Sequence, residues 1–515
     1  MIRTLSISLV IAIGAIGSSS AQDARGALRA AARAMGTANL DAVEISGTGW
    51  YGQVGQSYVL DGDWPRFEVF EYSRVIDYDA MASREDLNRR RGSYPAIGGG
   101  APFAGDQLIT EVVSDGYAWN LQGDRVIRPG RSYLDGVSHA DFRQLDILLT
   151  PHGFLQAALE SDDATAISTP IVNESNGGLS QGGRMVTVIS FTALGKYRVN
   201  GTINDQNLVE LVTTWVPNPV YGDMLFEMRY TDYEEFDGIM FPTVLHEHQG
   251  DPVLNPAHNS QEIRVSNVRV NPNVPDFGVP NEIRRAPPAA VNVDSQEVAD
   301  GVWRIAGGSH HSVLVEFDDF VTVVEAPLNE ARSLAVIEEV GRLVPGKPIR
   351  YVVNTHQHFD HAGGLRTYLA QGSYVVTHEG NREFYEDVLF HPGLRSLAPD
   401  RLATYYPMFT ASRRPAPIEG VNRKYVISDG SRTLDVHPVL GNAHTQTMVI
   451  IHLPAERILI NADMYNAGIP VQPFRLPNMR TLAANIERLG LDVEQHVTLH
   501  AQTGTHEEFL QAIAD

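Results

Sequence analysis

The segment from Asn354 to Gly364 reads N-T-H-Q-H-F-D-H-A-G-G and follows a short apolar run. It places four potential metal ligands close together in the chain: His356, His358, Asp360 and His361. Neutral imidazole nitrogen and carboxylate oxygen bind zinc at about 2.0–2.2 Å. Crowding such side chains into one turn costs free energy that a bound cation would offset. The segment therefore predicts a metal site and a fold that closes around it.

The ligand segment begins where a strand is expected to end. Residues 349–353 form a short β-prone run that is typical of a buried strand. In extended chain, His356 and His358 project to the same side and can hold one ion together. Asp360 and His361 lie past the turn and more naturally face a second ion. One strand end therefore predicts two half-sites.

Three later apolar runs also end at a potential ligand. These are His444 after residues 434–440, Asp463 after residues 457–462, and His500 after residues 495–499. In layered α/β folds, reactive groups gather beyond the carboxyl ends of the strands. We therefore expect the three residues to converge on the segment around His356.

The order H-x-H-x-D-H, then Gly-x-x-His-Thr, then Asp and then His resembles the metallo-β-lactamase superfamily over about residues 291–515. The resemblance implies an αββα sandwich and two Zn²⁺ ions per chain. It implies that three residues hold the first zinc: His356, His358 and His444. It implies that three others hold the second: Asp360, His361 and His500. Asp463 is implied to bridge the two ions.

Glu325 is a departure from the superfamily pattern. Residues 321–327 read V-T-V-V-E-A-P, with Glu325 where the superfamily usually has aspartate. We expect Glu325 to support the ligands without binding metal. The bridging Asp463 and the absence of cysteine separate the chain from β-lactamases that use a thiolate on the second zinc. The ligand set is more similar to glyoxalase-II-like and lactonase-like hydrolases.

The predicted chemistry is hydrolysis. Two zinc ions about 3.5–4 Å apart lower the pKa of a shared water toward neutrality, which gives a bridging hydroxide as the nucleophile. Asp360 is the expected catalytic residue, because one oxygen can bind metal while the other orients the hydroxide. The bond cleaved is an ester, lactone, thioester, amide or related bond of a small-molecule substrate. Two alternatives are an iron-dependent oxidoreductase of the same fold and a non-catalytic periplasmic lipid- or lipoprotein-binding protein.

The sequence does not identify the residues that bind the substrate. By resemblance, His310 and His311 lie in a loop near the mouth of the site, so a supporting or substrate-binding role is open for them. Four other residues could line the pocket, although aromatic residues in loops more often serve packing: Tyr405, Tyr406, Tyr465 and Asn466. His437 and His452, inside strand-like runs, are expected to be core or edge residues.

Residues 1–21 read as a secretory signal peptide. A short basic start precedes an apolar stretch over residues 5–16, and Ser19-Ser20-Ala21 offers small residues at the cleavage positions. We therefore expect a periplasmic or secreted bacterial protein. No later stretch approaches about twenty apolar residues, so stable membrane insertion is not expected. The net charge of −22, from 40 basic and 62 acidic residues, argues against nucleic acid as a partner.

The predicted fold class is α+β, with a β-rich antiparallel domain over residues 22–285 and the hydrolase domain over residues 286–515. The first domain is expected to contain a helix at 24–35, strands at 57–60, 67–72, 185–191, 208–215 and 225–233, and helical pieces at 83–90 and 152–160. A hairpin with an Asp-Gly turn is expected within residues 230–242. The proline-rich stretch 272–290 predicts a linker without helix or strand.

The role of the N-terminal domain is left open by the sequence. Its strand pattern resembles the curved sheets of periplasmic lipoprotein-carrier-like domains, and we expect no ligand cluster within it. The Gly98-Gly99-Gly100 run reads as a flexible loop. The domain could be a structural or dimerising platform that gives a homo-oligomer. It could instead cover the metal site and help to select the substrate, or bind an acyl chain in the concavity of its sheet.

Overall fold

The computed structural model describes residues 21–99, 105–129, 137–170, 184–251, 253–287, 290–390, 395–405 and 416–514. The predicted signal peptide, apart from Ala21, lies outside the described residues, as does Tyr406. Among the described residues, no helix is both long enough and apolar enough to cross a membrane.

A large antiparallel sheet occupies the N-terminal part of the chain. Within the described residues it has thirteen strands, in the order β6-β5-β4-β3-β2-β1-β13-β12-β11-β10-β9-β8-β7. The strands are β1 (Ala42–Gly52), β2 (Arg66–Asp77), β3 (Ala82–Arg91), β4 (Gln107–Ser114), β5 (Tyr117–Gln122), β6 (Arg125–Ile127), β7 (Thr165–Pro170), β8 (Met185–Ala193), β9 (Tyr197–Ile203), β10 (Val209–Asn218), β11 (Gly222–Phe236), β12 (Ile239–Gln249) and β13 (His258–Val270). The predicted antiparallel, β-rich character of this part is confirmed.

Helices cover one face of this sheet. They are α1 (Ala21–Met35), a 3₁₀ turn (Thr37–Asn39), α2 (His139–Leu149) and α3 (Pro151–Glu160). Leu28, Leu145 and Phe154 are fully buried in the resulting core. Ser138 and Thr150 cap α2 and α3, because each side chain accepts a hydrogen bond from a backbone N–H in the first turn. The predicted helices at 24–35 and 152–160 are confirmed.

Two local predictions for this region are wrong. Residues 83–90 lie in β3, which pairs with β2 on one side and β4 on the other. Sheet hydrogen bonds on both sides override the helical preference of this charged segment. Residues 57–60 are not a strand, and lie in the loop that joins β1 to β2 (residues 53–65; "the 53–65 loop" below). The hairpin at the Asp237-Gly238 turn is confirmed, since Phe236 pairs with Ile239.

The predicted linker contains one turn of helix, α4 (Asn281–Arg284), where no helix was expected. Its Ile283 is buried against Trp119 of β5 and Val112 of β4. This apolar contact stabilises the turn against the N-terminal sheet. The predicted domain boundary at residues 285/286 stays a prediction.

Two smaller sheets follow the linker. Within the described residues, the first has seven strands: β14 (Asp294–Ala299), β15 (Val302–Ala306), β16 (Ser312–Glu316), β17 (Val321–Val324), β18 (Ile349–Val353), β19 (Tyr374–His378) and β20 (Ile418–Val421). The second has six: β21 (Tyr425–Ser428), β22 (Thr433–Pro438), β23 (Val449–Leu453), β24 (Ile458–Asn461), β25 (Gln495–Thr498) and β26 (Thr503–Thr505). Strands β17 to β20 are parallel, as are β24 and β25.

The helices of this part are α5 (Glu330–Leu343), α6 (Phe359–Ala362), α7 (Leu365–Ala370), α8 (Arg382–Phe390), α9 (Arg401–Tyr405), α10 (Leu476–Leu489) and α11 (His506–Ala514), with 3₁₀ turns at Glu379–Asn381 and Pro473–Arg475. One buried cluster joins both smaller sheets, with Val353 from the first and Val436 from the second. Leu482 of α10 and Phe509 of α11 pack in another cluster with Leu459 of β24.

We expect Leu434→Ala to destabilise the C-terminal part by about 2–5 kcal/mol, because the side chain is fully buried between the two smaller sheets. Urea unfolding followed by tryptophan fluorescence measures the change. Val426→Ala on the neighbouring strand β21 is the matched control, because Val426 is 50% exposed. Equal midpoints for the two variants would contradict this packing.

Candidate metal site

The histidine-rich segment lies at the carboxyl end of β18, as the sequence predicts. His356 and His358 lie in the connection that follows β18, and Asp360 and His361 lie in α6. Two glycines permit a tight return of the chain: a Cβ on Gly363 would lie 2.0 Å from the carbonyl oxygen of Leu328, and one on Gly364 would lie 2.0 Å from Ser333 Oγ. Side chains are therefore excluded at both positions.

Three histidines form the first candidate group: His356, His358 and His444. All three are buried, and one ring nitrogen from each lies within 4.8 Å of the others. His356 Nε2 is 3.0 Å from His358 Nδ1. Among the described residues, His444 Nε2 is buried without a hydrogen-bond partner. Such an orphaned nitrogen is costly unless a ligand satisfies it, so the group fits a cation.

A second candidate group consists of His310, His361 and His500. His361 Nε2 and His500 Nε2 are 3.1 Å apart. His310 Nε2 lies 3.2 Å from Asp360 Oδ2, which in turn is 3.9 Å from His361 Nε2. The structure thus places His310, for which the sequence left a role open, beside the predicted ligands.

Asp463 lies between the two groups. Its Oδ2 is 3.4 Å from His356 Nε2 and 3.4 Å from His444 Nε2, on the side of the first group. The same oxygen is 3.0 Å from His361 Nε2, and Oδ1 is 3.1 Å from His500 Nε2. Asp463 lies two residues beyond the end of β24 and adopts a left-handed backbone (φ 57°), a conformation uncommon for residues other than glycine. Its carboxylate can therefore reach both groups.

Glu325 lies behind the ligands, at the end of β17. It is fully buried, and its Oε2 is 3.0 Å from His361 Nδ1. Its Oε1 accepts hydrogen bonds from Asn354 Nδ2 (3.1 Å) and from the backbone N–H of Thr355 (3.3 Å). Glu325 also forms a third possible metal-binding group with His356 and His361. Because its Oε2 contacts the nitrogen of His361 that faces away from Asp463, the contacts are those of a supporting residue.

Two of the histidines are held neutral. Burial, with the neighbouring rings of His361 and His358, holds the pKa of His356 well below its usual range. Burial and the ring of His444 lower the pKa of His358 to about 3. Both rings therefore keep a lone pair for a metal at neutral pH.

The carboxylates between the groups are held ionised. Burial alone would raise the pKa of Asp463, but His500, His444 and His361 outweigh it and hold the value well below the usual range. Burial likewise opposes charge on Asp360, and His361 and His310 hold its pKa well below the usual range. Conversely, burial disfavours protonated His361, but Asp463 and Asp360 raise its pKa well above the ordinary value. The site therefore places the ionised carboxylates of Asp463 and Asp360 beside His361, whose protonated form is favoured, and beside neutral histidine rings that keep a lone pair.

The N-terminal sheet contributes to this site through the 53–65 loop, which sequence reasoning missed. Gln56 Nε2 donates a hydrogen bond of 2.7 Å to Asp360 Oδ1. The carbonyl oxygen of Ser57 lies 3.0 Å from His358 Nε2, so this carbonyl favours the tautomer that leaves His358 Nδ1 free. Phe359, within the histidine-rich segment, packs 4.8 Å from the ring of Tyr221 in the β10–β11 turn.

Gly99 lies against the same ligands. A Cβ there would be 2.3 Å from His358 Cε1 and 2.5 Å from Gln56 Oε1. The adjacent Gly98 donates its N–H to the carbonyl oxygen of Ala443, next to His444, at 3.0 Å. Gly98 and Gly99 therefore pack tightly against the site, where a flexible loop was expected, and Gly100 lies outside the described residues. The consecutive glycines were the one sequence signal for this close approach.

The remaining candidates are less closely connected to the site. Tyr405 is 67% exposed. Tyr465 packs against His496 and Phe509, with ring centroids 5.4 and 5.0 Å away, as expected for a packing residue. The backbone N–H of His311 donates to the carbonyl oxygen of Leu499, which links the loop of His310 to the strand end before His500.

We expect Gly99→Ala to weaken metal binding, because the new methyl group displaces His358. Competition with a chromogenic chelator measures zinc affinity. Gly341→Ala, in α5 with open space around the position, is the matched control and should retain the affinity of the parent chain. Unchanged zinc affinity in Gly99→Ala would contradict the close contact.

Comparison with known proteins places a family match on this part of the chain. Residues 305–482 match the model of the metallo-beta-lactamase superfamily, which confirms the predicted resemblance. The chain is similar to the solved structure of metallo-beta-lactamase FIM-1 from Pseudomonas aeruginosa in its mono-zinc form, with 18% identity, 44% of this chain and 96% of that chain covered, and a TM-score of 0.33. It is also similar to a metallo-beta-lactamase from Pontibacter korlensis, with 14% identity, coverage of 43% and 98%, and a TM-score of 0.32. No curated protein matches the chain.

Proposed function

We propose that this chain, whose residues 305–482 match the metallo-beta-lactamase superfamily, is a hydrolase that depends on two zinc ions. The observation that carries the proposal is the position of Asp463 between two groups of histidines, with carboxylate oxygens 3.0–3.4 Å from four imidazole nitrogens. Nitrogen and oxygen donors without thiolate suit zinc. The finer fold that we propose for this part is the αββα sandwich.

The first proposed ligand set is the first group, and the second takes His361 and His500 from the second group, with Asp360 in place of His310. His356, His358 and His444 would hold one ion. Asp360, His361 and His500 would hold the other, with Asp463 shared. Two zinc ions, when bound, supply Lewis acidity and lower the pKa of a water toward neutrality. Glu325 would keep His361 oriented through the contact with its Nδ1.

Asp360 is the proposed catalytic residue. Its carboxylate is ionised and is fixed from two sides, by Gln56 at Oδ1 and by His310 at Oδ2. An ionised, fixed carboxylate can accept a hydrogen bond from an attacking water and orient it. The reaction class is hydrolysis of an ester, lactone, thioester, amide or related bond in a small molecule.

We also propose where the protein is located and which class of substrate it acts on. The basic, apolar and small-residue pattern of residues 1–21 supports export to the periplasm or the medium. The acidic net charge of −22 supports a small-molecule substrate over nucleic acid. The homo-oligomer and the lipoprotein-carrier-like character of the N-terminal sheet stay predictions.

We expect the full chain, purified without chelator, to contain close to two zinc ions. We also expect Asp360→Asn to lower the rate of hydrolysis of an activated ester or lactone about 10²–10⁴-fold. Mass spectrometry of the metals and initial rates provide the two measurements. Asp387→Asn, at an exposed position of α8, is the matched control. Iron in place of zinc would favour the oxidoreductase, and full turnover by Asp360→Asn would refute the role of Asp360.

Gln56→Ala should lower kcat about 10-fold or more with little change in zinc content, because a hydrogen bond to a charged group contributes about 1.5–3 kcal/mol. Steady-state kinetics separates kcat from KM, and metal analysis separates positioning from loss of the ion. Gln122→Ala, at an exposed position of β5, should behave as the parent chain. A Gln56→Ala enzyme with unaltered kcat would show that the 53–65 loop does not position Asp360.

A further inference from the structure

A second histidine pair lies on the N-terminal sheet, where no ligand cluster was expected from the sequence. His246 and His248 are two residues apart on β12, so their side chains project from the same face. Their Nε2 atoms are 2.8 Å apart. Asn259 Oδ1, on the neighbouring strand β13, is 3.0 Å from His246 Nε2. Two further atoms able to bind a metal, His248 Nε2 and Asn259 Oδ1, therefore lie within 3.0 Å of His246 Nε2.

A carboxylate stands behind each ring. His246 Nδ1 is 3.3 Å from Glu262 Oε2, and His248 Nδ1 is 3.5 Å from Glu227 Oε2. A carboxylate beside Nδ1 favours the tautomer that carries its proton there and leaves a lone pair on Nε2. The same carboxylate–histidine arrangement orients imidazole ligands in metal sites.

The two Nε2 lone pairs then face each other at 2.8 Å, and they repel unless a proton or a metal cation lies between them. The carboxylates of Glu262 and Glu227 favour a proton on each Nδ1, away from this contact. A cation satisfies both lone pairs without protonating either ring.

The charged groups around the histidine pair do not oppose the binding of a cation. Arg229 pairs with Glu227 at 3.3 Å, and Arg264 pairs with Glu262 at 2.8 Å. These four charges cancel, so an incoming ion meets no net positive charge from them. The side chains of His246 and His248 are 22% and 23% exposed, so an ion and its remaining water ligands can reach them.

We propose that His246, His248 and Asn259 form a further metal site on the N-terminal sheet, for a divalent transition metal that accepts imidazole, such as Zn²⁺, Ni²⁺ or Cu²⁺. Two imidazoles and one amide oxygen provide three protein ligands, and water completes the coordination. The site shares no residue with the group around Asp463, so it does not depend on the proposed hydrolase function.

Metal titration of the full chain tests the site. Chelator-stripped protein is titrated with Ni²⁺ in a calorimeter, and bound metal is then counted by mass spectrometry. The parent chain should bind one equivalent more than the His246→Ala/His248→Ala variant. His506→Ala is the control, because it disrupts another histidine pair, His496 Nε2 to His506 Nδ1 at 2.9 Å, and should leave the count unchanged.

A single substitution that retains both histidines tests the site even if the double variant does not fold. Glu262→Gln retains both rings but removes the carboxylate charge behind His246, and should weaken Ni²⁺ binding at this site about 10-fold or more. Hydrolysis by the zinc-loaded double variant should remain at the parent level. Equal metal counts in the parent chain and the folded double variant would overturn the proposal.

Discussion

The constraint on which the C-terminal part depends is the burial of imidazoles and carboxylates at one edge of two sheets. Water cannot solvate these groups fully, so their lone pairs and charges must satisfy one another or a bound cation. Asp463 faces both histidine groups, and Glu325 contacts His361 from behind. Both residues adopt left-handed backbone conformations, with φ of 57° and 76°. These strained backbone conformations direct the two carboxylates toward the histidines.

The N-terminal sheet completes the site. Its 53–65 loop fixes Asp360 through Gln56 and His358 through the carbonyl oxygen of Ser57. The contact at Phe359 packs the ligand segment itself against Tyr221. Part of the wall of the candidate site therefore comes from the N-terminal part of the chain. In the proposed hydrolase, this arrangement would let the N-terminal part influence both the rate of hydrolysis and the choice of substrate.

In the same sheet, the pairing of strands determines which side chains come into contact. His246 and Asn259 are 13 positions apart in sequence, and no local pattern relates them. They meet because β12 pairs with β13, and the carboxylates behind the rings come from that strand and from β11. A similar pairing overrode the helical preference of residues 83–90, since β2 and β4 both hydrogen-bond to them.

The sequence by itself determined the types, the order and the strand-end placement of the candidate ligands, because the spacing of His356 to His361 and the apolar runs before His444, Asp463 and His500 are local properties. It also determined the alternating strands and the Asp-Gly hairpin of the N-terminal sheet. Only the tertiary structure decided that Gln56, Ser57 and Gly99 contact the candidate ligands and that His310 lies beside them. Those contacts bridge long separations along the chain, and a single sequence carries no signal for which distant loop fills a given space.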